Sequence, residues 1–281
     1  NSFGDAEWVQ SVAERLRLAR ELLTADGTIC VTIDHVQLFN LGSVADAIFG
    51  RRNRLGVVTV VHNERGRSGF DGNGFNENHE TYLFYARQDD LAEVNPVRVP
   101  DGELRSRFPH EDEHGRLAWH GLTRTGGNSR PHQTPKQYYP IYADPVSGHM
   151  GLTPFACAVE ILPVDAEGHP RTWSCIPATF EDWLAEGLLR LAPSRHHPSG
   201  HTIQKLSRPN GDDGLSATEQ PKTVWLGPDL NAATHGTGLL RRMIGLNPFS
   251  YPKSVHAVKR ALHAMVGHKP DATVLDPYAG S

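Results

Sequence analysis

The clearest chemical potential lies at the end of the sequence, in Asp276-Pro-Tyr-Ala-Gly-Ser281. A carboxylate followed by small residues, placed where an apolar run stops, presents an acid and bare backbone at the carboxyl end of a strand, where open α/β sheets bind ligands. A second candidate set is Arg65 and Arg67, in the glycine-rich stretch E-R-G-R-S-G-F-D-G-N-G-F-N-E-N that starts at Glu64. That stretch cannot form a regular element, so its arginines serve either loop solubility or phosphate contact at a site. Arg105, Arg107, Arg116, Arg124, Arg130 and Lys136 are interleaved with Trp119, Tyr138 and Tyr139. Charge for phosphates beside flat faces for bases is what nucleic-acid contact requires, although aromatics at such spacing also build cores. His196, His197 and His201 lie close together with Cys175 upstream. They lack a Cys-x-x-Cys pair or a helical His-x-x-x-His frame, and no metal site is expected. The absence of Gly-x-x-x-x-Gly-Lys and of Gly-x-Ser-x-Gly removes the commonest nucleotide hydrolases and the α/β hydrolases.

The elements that must position these residues follow from hydrophobic periodicity. Trp8, Val12, Leu16, Ala19 and Leu23 recur at helical spacing, and Asp26-Gly27 ends that helix. Thr28 to Asp34 is almost continuously β-branched, as a strand buried on both faces of a parallel sheet would be. A second helix is expected from Val36 to Phe49, closing on Gly50, with a strand from Val57 to Asn63 after it. Thr81 to Arg87 returns as a strand and is expected to pair antiparallel with Val57 to Asn63. Residues 91–222 differ in texture, with short apolar patches and many Pro, Gly and His, and no sustained helical period before Thr179 to Leu189. They read as an inserted, mostly β domain. Near the end, a turn on Pro248 and Pro252 leads to a helix bearing Val255, Val258, Leu262 and Met265, then a short strand from Ala272 to Leu275.

Composition bounds the class. The 281 residues, 38% hydrophobic and 21% charged, suffice for a real core and for two domains. No apolar run approaches the roughly 18 residues of a membrane span, and three scattered cysteines, Cys30, Cys157 and Cys175, suit a reducing cytoplasm. The formal charge of −4 argues mildly against nucleic acid, but averages conceal patches. Arg241, Arg242, Lys253, Lys259, Arg260 and Lys269 fall in an acid-free run whose plain reading is a solvated helix face.

The motif order W-V-Q-S-V-A-E-R-L-R-L-A-R-E-L-L, G-T-I-C-V-T-I-D, A-I-F-G-R-R-N, N-H-E-T-Y-L-F-Y-A-R, N-P-F-S-Y-P-K-S-V and V-L-D-P-Y-A-G-S resembles the permuted, β-group adenine-specific DNA methyltransferases, above all the modification subunits of type III restriction systems. The resemblance implies a Rossmann-like α/β sheet with an inserted, mostly β target-recognition domain. Residues 1–90 would form the catalytic half, 91–222 the recognition domain and 223–281 the start of the cofactor half. It implies S-adenosylmethionine as cofactor, with Asp276, Tyr278 and Gly280 on the family's Asp-Pro-Phe-Ala-Gly-Ser-Gly loop, where Tyr replaces the usual Phe and keeps a flat ring. Phe249, Pro252 and Lys253 fall on the companion Phe-x-x-Pro-Lys segment. From the residues alone, Pro252 reads as a first helical turn and Lys253 as a surface charge. Asn63, Arg65 and Arg67 follow the strand that lies beside the flipped base in the family. His79-Glu80 matches a recurring His-Glu for which no chemical role is assigned.

The family's catalytic Asp-Pro-Pro-Tyr does not occur in the sequence, so no catalytic residue is assigned. The chain is expected to be a piece of a longer frame that by itself neither methylates DNA nor binds the cofactor tightly. The activity implied for the parent is methylation of adenine N6 in a restriction-modification system, after extrusion of the base from the duplex. Methylation of cytosine N4 or of RNA on the same fold, and a non-catalytic DNA-binding remnant, are the alternatives. The implied partner is double-stranded DNA, with a restriction subunit and a second copy of the chain left open and no membrane expected.

Overall fold

The computed structural model describes residues 4–63, 66, 75–210, 217–245, 249 and 251–278. Its elements begin with helix α1 (Asp5–Leu22), strand β1 (Thr28–Ile33), helix α2 (Leu38–Phe49) and strands β2 (Arg54–Val61) and β3 (His79–Ala86). There follow β4 (Val97–Arg98), α3 (Asp101–Arg107), β5 (His110–Asp112), β6 (Gly115–Gly121), β7 (Ile141–Ala143), β8 (Met150–Gly151) and β9 (Val159–Ile161). The chain continues through α4 (Pro177–Ala185), β10 (Leu189–Pro193), β11 (His201–Ser207), β12 (Thr218–Glu219), β13 (Val224–Trp225), α5 (Gly238–Ile244) and α6 (Val255–Val266). Two compact units result, one from residues 1–97 with 219–281, the other from 98–218.

The first unit is a mixed α/β assembly on a sheet of order β1-β3-β2-β13. β3 is antiparallel to both β1 and β2, and β13 runs parallel to β2. The sequence places the two-sided burial on β1 within a parallel sheet; the structure moves it to β3 and makes the β1 pairing antiparallel. The reason is position. Among the described strands β1 is at the edge and only partly buried, whereas β3 is central and its residues from Glu80 onward are buried.

Alternation along β3 sends its side chains into two cores. Leu83 and Tyr85 pack with Leu16 of α1 and with Leu41, Ala45 and Phe49 of α2. The i, i+4, i+8 spacing of the last three is the apolar stripe a helix must bury. Tyr82 and Phe84 point the other way, joining Val58, Val60, Trp225, Leu230 and the small residues Ala257 and Ala261 of α6. Small residues there let the helix approach the Tyr82, Phe84 and Trp225 rings, whose centroids lie 5.9 to 6.4 Å apart. The Tyr85 hydroxyl donates to Asp46 at 2.7 Å, which also takes Arg54 at 3.2 Å. Burial and the Asp46 carboxylate push the Tyr85 phenol up to about 12. Lys269, beyond α6, pairs with Asp26 and holds its carboxyl down at about 2.

Ala272 to Leu275 does not form the strand that its composition suggests. Val274 and Leu275 are exposed, and no described strand lies beside the run to complete its backbone hydrogen bonds.

The second unit carries a sheet of order β10-β11-β6-β5 and a smaller one of order β8-β7-β9. Its core gathers Leu122, Ile141, Ile161, Trp173, Phe180 and Ile203, all fully buried. The Trp173 indole N–H donates to the Tyr139 carbonyl at 2.8 Å, so a large buried ring leaves no orphan donor. His197 bonds the Leu162 carbonyl at 2.7 Å and the Ser199 hydroxyl at 2.7 Å, and His201 the Ser199 carbonyl at 2.9 Å. These rings satisfy turn backbone. No helix among the described residues is long and apolar enough to cross a membrane.

If the face of β3 turned toward α6 is held as described, Trp225→Ala removes its central ring. It is expected to destabilise the first unit by about 3–5 kcal/mol, read as a lower midpoint in denaturant unfolding followed by far-UV circular dichroism.

Candidate functional site

The directions of β1, β2 and β13 coincide, so their carboxyl ends lie at one end of the sheet, joined there by the amino end of β3. In register terms, Val60 and Val61 of β2 face Glu80 and His79 of β3. The chain leaves β2 through His62 and Asn63, whose backbone N–H groups both donate to the Asn78 carbonyl. The His62 carbonyl accepts from the Ala232 N–H at 3.2 Å, which ties this exit to the segment after β13. That segment, through a π-helical turn at Ala233–Thr237, packs against Pro252 and Lys253. A Cβ at Gly236 would lie 2.6 Å from the Pro252 oxygen and 2.8 Å from that of Lys253, so only glycine fits this approach.

Lys253 is where the two sides of the site meet. Its Nζ pairs with Glu80, whose side chain is nine-tenths buried at the head of β3. A buried carboxylate costs several kcal/mol unless matched by an opposite charge and hydrogen bonds, and Lys253 supplies both. Pro252 is buried and Phe249 half-buried. Ser254 caps α6, accepting from His256 N at 3.2 Å and donating to the Asp229 carbonyl at 2.7 Å. Asp229 in turn holds Arg260 at 2.8 Å. The positive end of the twelve-residue helix α6 thus opens beside an ammonium and a carboxylate.

Beneath Glu80, Tyr82 is buried and its hydroxyl has no partner among the described residues. Desolvation, with Glu80 adding to it, pushes this phenol far above its ordinary value, so it stays protonated. The same causes push the Cys30 thiol up to about 12, which removes it as a nucleophile.

Of the residues singled out from sequence, Asn63, Pro252 and Lys253 come together at this end of the sheet. Asn63 also donates from Nδ2 to the Gly66 carbonyl at 3.0 Å. Asp276 and Tyr278 sit in an exposed turn in which Asp276 accepts the Tyr278 N–H at 3.1 Å. The Tyr278 ring meets the Arg15 guanidinium of α1 at 5.7 Å. Arg65, Arg67 and Gly280 lie outside the described residues. Sequence reasoning gave Glu80 no role and did not notice Gly236. The cap was readable: Ser254 directly precedes the apolar helical pattern, a standard N-terminal signal.

Breaking the pair from the lysine side, Lys253→Met, leaves the Glu80 carboxylate buried alone. A loss of about 1–3 kcal/mol is expected, with much of it restored in the Glu80→Gln/Lys253→Met double variant. Additive losses in a double-mutant cycle would mean the two side chains do not interact.

Comparison with known proteins gives this arrangement its context. The chain is 27% identical over 285 residues to the EcoPI Mod subunit, a type III restriction-modification enzyme of Escherichia phage P1, covering all of this chain and 42% of that protein. It is 26% identical over 279 residues to the type II methyltransferase M.KpnI of Klebsiella pneumoniae, covering 98% of this chain and 61% of that one. A shorter stretch of 55 residues is 42% identical to the EcoP15I Mod subunit of Escherichia coli, one-fifth of this chain and 8% of the relative. The chain therefore spans between two-fifths and three-fifths of the length of the two relatives that match it end to end. The sequence pattern of the DNA methylase family, N6_N4_Mtase, matches residues 2–281, and the chain belongs to that family.

Proposed function

We propose that this chain is part of a DNA methyltransferase of a restriction-modification system that transfers a methyl group from S-adenosylmethionine to N6 of adenine. The observation that carries the reading is the family match over residues 2–281. The grouping of Asn63, Glu80, Pro252 and Lys253 where parallel strands end supports it further. The likeness of the whole chain to part of a type III Mod subunit favours adenine N6, and the family's own name leaves cytosine N4 as the second reading.

The donor set suits the cofactor. S-adenosylmethionine carries an ammonium and a carboxylate on its amino-acid end and a flat adenine at the other. The Glu80–Lys253 pair fixes the segment that leads into α6, whose positive amino end suits the cofactor's carboxylate, and Phe249 and Tyr278 offer flat apolar faces. In this reading Phe249, Pro252 and Lys253 form one wall of the cofactor site, and Asp276, Tyr278 and Gly280 the other. The cofactor supplies a methyl group already activated on a sulfonium. What remains for the protein is to hold the target amine in line with that methyl and to exclude water. Asn63, Arg65 and Arg67, at the exit of β2, are the residues assigned to the extruded nucleotide and its phosphates. The residues 98–218 are assigned to recognition of the target sequence. The sequence contains no Asp-Pro-Pro-Tyr, so the reading gives methyl transfer to the whole protein. There DNA is the substrate, and a restriction subunit or a second copy of the chain is a candidate partner.

The full-length protein, incubated with duplex DNA and S-adenosylmethionine labelled in its methyl group, is expected to yield N6-methyladenine on nucleoside analysis. N4-methylcytosine would select the second reading, and unlabelled DNA would overturn both. Tyr278→Ala in the full-length protein is expected to weaken cofactor binding about tenfold or more, the order of a lost ring contact of 0.5–1.5 kcal/mol together with its buried area. Unchanged affinity would remove Tyr278 from the site.

A further inference from the structure

The cations of the second unit sort into two groups by partner. Arg98, Arg107, Arg116, Arg171 and Arg208 each pair with a carboxylate. Arg190 does not. Its guanidinium lies 4.1 Å from the centroid of the Trp119 ring, and its Nε donates to the Gln204 side chain at 2.9 Å. Both partners are neutral, so the full charge is retained, and the stack fixes the plane of the fork. Its two terminal nitrogens have no partner among the described residues.

Register places these groups on one face. Arg190 is opposite Gln204, and Gln204 opposite Gly121, which gives a row across β10, β11 and β6. Trp119 is two residues before Gly121 and so shares the face. The opposite face holds Leu189 and Ile203 and belongs to the core. Asp112 also falls on the Arg190 face through its pairing with Gly115. Arg208 grips it bidentately at 2.8 and 2.6 Å and holds its carboxyl down at about 2, so it does not offset Arg190.

At Gly121 the chain passes directly into the segment that carries Arg130 and Lys136, which have no ion-pair partner among the described residues. From His114 to Ala143 the sequence contains four Lys and Arg residues and no Asp or Glu. The segment is held firmly, with Arg124 N donating to the Thr172 carbonyl, Trp173 N to that of Gln137 and Ser174 N to that of Leu122, at 2.7 to 2.9 Å. Its cations are therefore presented by a braced backbone.

We propose that the Arg190, Gln204 and Trp119 face of this sheet, continued by the Arg130 to Lys136 segment, is a contact surface for the phosphate backbone of duplex DNA. The inference rests on the methyltransferase reading and adds to it the surface that engages the duplex. Stacked, acid-free guanidinium is suited to bidentate phosphate contact, and the paired arginines elsewhere in the unit are not.

Binding of a fluorescent duplex oligonucleotide to the chain, titrated across a salt series, tests this. Arg190→Ala, and separately Arg130→Ala with Lys136→Ala, are expected to lower the slope of log K against log salt by about one per cation removed, with about fivefold weaker binding per cation near physiological salt. Arg190→Lys, which keeps the charge, is expected to retain the slope. Arg98→Ala, whose charge already has Asp101 at 3.4 Å, is expected to change neither. Wild-type binding with unchanged slopes in the Arg190 and Arg130/Lys136 variants would overturn the surface and leave the methyltransferase reading standing. No duplex binding by the folded wild-type chain would overturn the surface as well, and product analysis of the full-length protein would then decide the reading separately.

Discussion

The structure depends on the burial of both faces of β3. One strand receives α1 and α2 on one side through Leu83 and Tyr85, and α6 on the other through Tyr82 and Phe84. Fully burying large apolar side chains contributes about 1.5–3 kcal/mol each, so this strand is where the first unit concentrates its stability. The consequence is positional. The residues at the amino end of β3, and those at the carboxyl ends of its neighbours, are held by the best-packed element in the unit. A site built there inherits that order.

Burial also sets the electrostatics. Glu80 is drawn under α6 because it precedes the core residues of β3 by one pleat, and a carboxylate in that position requires a cation. Lys253 supplies it from 173 residues further along the chain. The ion pair therefore joins the start of β3 to the start of α6, closed around Gly236 by the approach of backbone to backbone. Tyr82, directly below, keeps its proton because both desolvation and the nearby carboxylate oppose ionisation. The second unit handles charge differently: half of its described arginines meet acids, and Arg190 meets a ring.

Much of this was legible in the sequence because it depends on period. The i, i+4 stripes of α1 and α2 and the antiparallel pairing of β2 with β3 need only local pattern. On α6 the period marks the helix but not its buried face: Val255, Val258 and Leu262 are exposed, and the small residues Ala257, Ala261 and Ala264 are buried, because only they let the helix approach the Tyr82, Phe84 and Trp225 rings. What failed was context. Thr28 to Ile33 and Thr81 to Ala86 are both apolar runs, and composition cannot say which is central; the structure gives the centre to the later one. Ala272 to Leu275 has a strand's composition without a described neighbour to pair with. Asn63, Pro252 and Lys253 were reached through family resemblance, whereas the meeting of Glu80 with Lys253 is a long-range fact that no spacing encodes. Gly236 was missed because a glycine required by close approach looks the same in sequence as one required by a turn.

The central claim is that the Phe249 to Lys253 segment, braced by Glu80, forms a wall of the cofactor site. Photo-crosslinking of methyl-labelled S-adenosylmethionine to the full-length protein, followed by peptide mapping, addresses it most directly. Label is expected on peptides containing residues 249–254 or 276–280, suppressed by excess unlabelled cofactor. Competable label confined to other parts of the chain would contradict it.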